Sequence, residues 1–100
     1  MAQRTPSPDH RVIERVQTGV RVERRILQVL KGLAESHSMT LGDLLEGIVL
    51  HAFEGQAPFG EKSLERIRGL RAVYGLDLTA EDSHLLVERK AARPTRKART

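Results

Sequence analysis

The chain has 100 residues, a formal net charge of +4 and no cysteine. The missing thiols exclude disulfides and thiolate metal sites, and no apolar run approaches the ~20 residues of a membrane span. Three aromatic residues, Phe53, Phe59 and Tyr74, are too few for a platform that stacks single-stranded bases.

The length suits one domain. The start lacks the apolar core of a signal peptide, so the expected compartment is the cytoplasm. The basic balance is uneven. Residues 89–100 carry +6 and residues 1–15 carry +1, whereas residues 16–88 carry −3. The tail supplies the cations, and the part expected to fold is mildly acidic.

Residues 1–15 read as an N-terminal arm, mostly disordered: MAQRTPSP is polar and proline-rich. Within it, residues 9–15 admit two readings. Val12, Ile13 and Val16 can form a short helical face, with Ser7 as N-cap and Pro8 at the first helical position. They can also be an extended lead-in, which is the favoured reading. From Val16 to Val22 the even positions are Val, Thr, Val, Val and the odd ones Gln, Gly, Arg. That alternation predicts a strand with one apolar face. Gly19 weakens it.

A first helix is predicted over residues 23–37, with Ile26, Leu30, Leu33 and Ala34 on one stripe and Leu27 widening it. The turn is Ser36-His37-Ser38-Met39. A second helix is predicted over residues 40–54. Thr40 is its N-cap, Asp43 stands where a capping box has Glu, and Met39 can staple onto Leu44. Leu41, Leu44, Leu45, Ile48, Ala52 and Phe53 share one face, with Val49 and Leu50 on the flanks. So wide an apolar surface on so small a chain implies a subunit interface. Gly55 to Gly60 is a loop. A third helix is predicted over residues 61–74, with Leu64, Ile67, Leu70, Val73 and Tyr74 apolar. A short last helix starts after Thr79, capped by the Thr79–Asp82 pair. Residues 89–100, RKAARPTRKART, read as a basic disordered tail.

An isolated strand and two helices cannot bury their apolar faces alone. A second copy, pairing strands and packing helices, resolves this. The segment VRVERRILQVLKGLAESHSMTLGDLLEGIVLHAF resembles the ribbon-helix-helix class of DNA-binding proteins over residues 16–54. Two departures stand out. Ser38-Met39 replaces the glycine that many members have between the helices, and one reading position is itself glycine. The resemblance implies a mainly α fold with one short strand: a homodimer with an intermolecular antiparallel two-stranded ribbon, a core over residues 16–54 and a helical extension over residues 55–88. It implies that Gln17, Gly19 and Arg21 enter the major groove, where Gln suits adenine and Arg suits guanine. It also implies that Thr40, Leu41 and Gly42 hold a phosphate at the start of the second helix. Val20, Val22, Ile26, Leu30, Leu44, Leu45 and Ile48 would form the dimer core.

Other residue types have plainer readings. Arg24 and Arg25 can touch DNA phosphates or lie on a solvated face beside Glu23. His10, His37, His51 and His84 have no ligand spacing, so no metal and no cofactor is expected. Glu81, Asp82, Ser83 and His84 are contiguous at a helix start, so their side chains diverge and catalysis is not expected. The tail can bind phosphate or simply solubilise the chain. The expected function is DNA binding by a homodimer, in transcriptional regulation. The alternatives are a dimeric protein-interaction module that does not bind DNA, antitoxin-like or an adaptor, taking a protein partner through the C-terminal helices, and a monomeric helical adaptor in which residues 16–22 form no strand.

Overall fold

The structure, a computed structural model, describes residues 10–89. It contains three α-helices, α1 (Arg24–Ser36), α2 (Leu41–Phe53) and α3 (Glu61–Tyr74), followed by a single 3₁₀ turn at Ala80–Asp82. The arm before residue 10 and the tail beyond Arg89, both expected to be disordered, lie outside the described residues.

Each helix start has its own chemistry. The Glu23 carboxylate caps α1 by accepting the N–H of Ile26 at 2.9 Å. The Thr40 hydroxyl caps α2 by accepting the N–H of Asp43 at 3.0 Å. Gly60 precedes α3 and offers no side-chain cap. The helix ends share one closure, in which a residue of positive φ lets the chain fold back onto the last carbonyls. Gly55 at φ 72° and Gly75 at φ 66° do this for α2 and α3. After α1 the same role falls to Ser38 at φ 56°, and the N–H of Met39 donates to the Ala34 carbonyl at 3.0 Å.

Helix α1 packs against both α2 and α3, most extensively against α3. Its Val29, Leu33 and Ala34 are buried, as are Leu44 of α2 and Leu76 beyond α3. Leu30, Met39, Ile48, Phe59, Ile67 and Leu70 pack around Leu33, Ala34 and Leu44. Helix α3 contributes Ile67 and Leu70 to the same cluster as α2.

The structure corrects the expected fold class. Among the described residues there is no strand, and therefore no two-stranded ribbon; the architecture is three-helical. Residues 10–22 form an arm without regular secondary structure, exposed at every position. The physical reason is the lack of a partner. A strand needs a second backbone about 5 Å away, and among the described residues no segment pairs with the arm in that way. Alternation of Val, Thr and Val in residues 16–22 is compatible with a strand but does not supply one. The last expected helix is also reduced to one 3₁₀ turn. There Asp82 accepts the N–H of Thr79 at 2.8 Å and Thr79 Oγ1 accepts the N–H of Glu81 at 3.3 Å.

Candidate nucleic-acid and dimer surfaces

The arm carries three residues nominated for base contact. Gln17, Gly19 and Arg21 are all exposed. Side-chain ion pairs tie the arm to the body at two points. Arg15 donates to Glu46 of α2 through Nε and Nη2, at 2.8 and 2.7 Å. Arg21 donates to Glu88 through the same two nitrogens, with Nε 3.2 Å from Oε1. The hydrogen bonds from the arginines, and then their charge, hold the carboxyls of Glu46 and Glu88 below the usual range. Both pairs are open to solvent, so each restrains the arm weakly.

Arg24 and Arg25 part ways at the start of α1. Arg24 is exposed. Arg25 is half-buried and holds three acceptors: Glu23 Oε2 at 2.9 Å, the Gly75 carbonyl at 3.0 Å and Asp77 Oδ1 at 3.1 Å. It therefore fastens the segment after α3 to the start of α1, beside the buried Leu76. Glu23 is also part of this junction. Burial pushes its pKa up, but the N–H of Ile26 and the bond and charge of Arg25 together bring it below the ordinary value.

Thr40 is exposed, Leu41 half-buried and Gly42 exposed. The Thr40 hydroxyl takes the Asp43 N–H, which leaves the N–H groups of Leu41 and Gly42 without an intrahelical acceptor. Lys31 of α1 lines the same groove as Thr40 and Leu41, with Glu35, Ser38 and Met39; its volume is about 500 Å³. Lys31 was not among the nominated contacts. Its signal was its place seven residues after Arg24, two turns along the same face of α1. Glu46, Asp77 and Glu88 gave no such signal, because each meets its arginine from 31 to 67 residues away.

The nominated dimer-core residues divide in the same way. Leu44 is buried within the chain, and Ile26, Leu30 and Ile48 are half-buried. Val20, Val22 and Leu45 are exposed. Along α2, Leu45, Val49 and Phe53 follow one another at single-turn spacing, and all three are exposed, with Leu50 beside them. Val12, Ile13 and Val16 are exposed on the arm, on either side of the Arg15 that reaches α2.

The histidines are dispersed. His51 Nδ1 lies 2.7 Å from the Gly47 carbonyl, and His37 Nε2 lies 3.3 Å from Ser63 Oγ. Among the described residues no three His, Asp or Glu side chains converge on a metal position. Asp82 is engaged in its cap, and His84 sits at φ 67° in the following turn. No helix among the described residues is long and apolar enough to cross a membrane. The chain matches no protein-family model, no curated protein and no solved structure.

Proposed function

We propose that the chain is a non-catalytic, cytoplasmic DNA-binding protein that acts as a homodimer, in the regulation of transcription. The observation that carries DNA binding is the open groove lined by Lys31, Thr40 and Leu41. A cation and the positive end of a 13-residue helix line it and favour a phosphate, against the opposing charge of Glu35 in the same groove. The exposed arm adds Gln17, Gly19 and Arg21, and Arg24 is exposed two turns along α1 from Lys31. None of these side chains is spent on the core. The tail adds six cations by sequence, a salt-dependent and sequence-independent contribution.

Self-association is supported by unburied apolar surface. Val12, Ile13, Val16 and Val20 of the arm and Leu45, Val49, Leu50 and Phe53 of α2 are apolar side chains that the single chain leaves in water. A second copy is the partner always present at matching concentration.

The test is a polarisation titration of the full chain against random and selected duplexes, at about 50 and about 200 mM salt. Duplex binding that weakens steeply with salt is expected. Arg21→Ala should weaken the selected duplex about tenfold to a hundredfold and flatten the preference among sequences. Removing residues 89–100 should make the salt dependence shallower. Absence of duplex binding at low salt would reject the reading.

One observation favours the second reading, a dimeric protein-interaction module. Residues 10–89 hold eleven Arg and Lys against twelve Asp and Glu, a balance that does not attract a polyanion. On that reading light scattering still gives twice the chain mass, and duplex affinity is weak and indifferent to Arg21→Ala.

A further inference from the structure

The arm has three cations, Arg11, Arg15 and Arg21, and two of them are already held by carboxylates from distant parts of the chain. Arg21 is the clearer case. Both Nε and Nη2 donate to the two oxygens of Glu88, a paired arrangement that uses the whole edge of the guanidinium. That edge is one of the two through which an arginine can meet guanine O6 and N7, or two oxygens of a phosphate. While Glu88 holds it, Arg21 offers a ligand only its Nη1 side. The side chains are 83% and 63% exposed, so the pair is loose enough to exchange. Neither residue lies in a helix, so either segment can move without breaking a hydrogen-bonded turn.

We infer that Glu88 is a built-in competitor for the ligand of Arg21, a carboxylate that a phosphate or guanine must displace before it can take the Nε–Nη2 edge of that arginine. The inference rests on the DNA-binding reading. It assigns Glu88 a role distinct from its contribution to net charge. A competitor of this kind lowers affinity for every duplex, and lowers it most for duplexes that return only one contact to Arg21. Its action is local: it is lost when Arg21 is lost.

The experiment uses the full chain and a labelled random duplex, with polarisation read at about 50 and about 200 mM salt. The variants are Glu88→Gln, Glu81→Gln, Arg21→Ala and the double variant Arg21→Ala/Glu88→Gln. Glu81 is exposed, makes no ion pair among the described residues and serves as the charge control. Helix content by circular dichroism verifies that each variant is folded. Glu88→Gln should tighten binding about three- to tenfold at the lower salt, clearly more than Glu81→Gln, with a smaller gain at the higher salt. The gain should vanish in the Arg21→Ala background. An equal gain from Glu81→Gln, or a gain that survives loss of Arg21, would show that Glu88 acts only as one negative charge, while DNA binding itself stands. If neither the parent nor Glu88→Gln binds duplex at low salt, the DNA reading and this inference both fall.

Discussion

Gly32 of α1 faces Leu70 of α3 so closely that a Cβ at position 32 would lie 2.8 Å from Leu70 Cδ2. The approach of α1 to α3 at this point depends on the absence of a side chain at position 32. Gly69, one residue before Leu70, has open space around its missing Cβ.

The two glycines should respond differently to substitution. Alanine in place of glycine inside a helix gains about 0.5–1 kcal/mol from backbone entropy and propensity. Gly69→Ala should realise that gain. At Gly32 the added methyl must push Leu70 aside, so Gly32→Ala should gain nothing, and Gly32→Val should lose about 1–3 kcal/mol. Urea unfolding followed by circular dichroism measures both. A Gly32→Val variant as stable as the parent would mean that α1 and α3 are farther apart.

Ser38 is the second place where backbone geometry can be tested. It holds φ 56° in the turn between α1 and α2, a conformation that costs a side-chain-bearing residue about 1 kcal/mol or more. Ser38→Gly should raise stability by up to about 1 kcal/mol, with unchanged helix content. Ser38→Val should lower it, because branching at Cβ adds to the strain. The expected order of unfolding midpoints is Gly above Ser above Val; any other order removes the argument from strain.

Glu23 links helix capping to pH. Its folded pKa lies below the ordinary carboxylate value, so the ionised form is the one that the fold prefers. The sign follows from linkage: its contribution is complete above the unfolded pKa and is lost as pH falls through the folded one. Stability should therefore decline in the acid range, below about pH 4.5. Glu23→Ala should cost about 1 kcal/mol near neutrality through loss of the cap on Ile26. That difference should shrink in acid. A constant difference from neutrality to acid would show that ionisation of Glu23 does not matter.

The three main helices were legible because each is written locally. Thr40 and Asp43, Gly55, Gly75 and the apolar stripes lie within a few residues of the bounds that they set. What escaped were facts that depend on distant partners. Val29 is buried although the first-helix stripe ran through Ile26, Leu30 and Leu33; α1 is flanked by two helices, and a single stripe describes only one neighbour. Arg25 was weighed as a DNA contact, yet it grips Gly75 and Asp77, some fifty residues on. The strand over residues 16–22 failed for a related reason. Alternation describes the faces that a strand would have and says nothing about whether a second backbone is there to pair with it. The glycine missing between α1 and α2 was visible as Ser38, but its positive φ was not.

Leu44 and Leu45 give the sharpest separation of fold from assembly. Sequence periodicity put both in one apolar face, and the dimer reading assigned both to a shared core. In the structure Leu44 is 6% exposed, against Leu33 and Ala34, whereas Leu45 is 39% exposed at the head of the strip that continues through Val49 and Phe53. Their substitutions should therefore fail in different ways. Leu44→Ala leaves a cavity inside one chain and should cost about 2–5 kcal/mol, lowering helix content and assembly together. Leu45→Asp puts a charge on a surface that is wet in the single chain and would be dry between two copies. It should leave helix content largely intact in dilute solution while reducing the mass seen by light scattering to that of one chain. The parent should scatter as two chains at micromolar concentration. If Leu45→Asp still scatters as two chains, the α2 strip is not the interface. If it unfolds together with its dissociation, the single chain does not hold its own fold, and the core around Leu33 needs the second copy to persist.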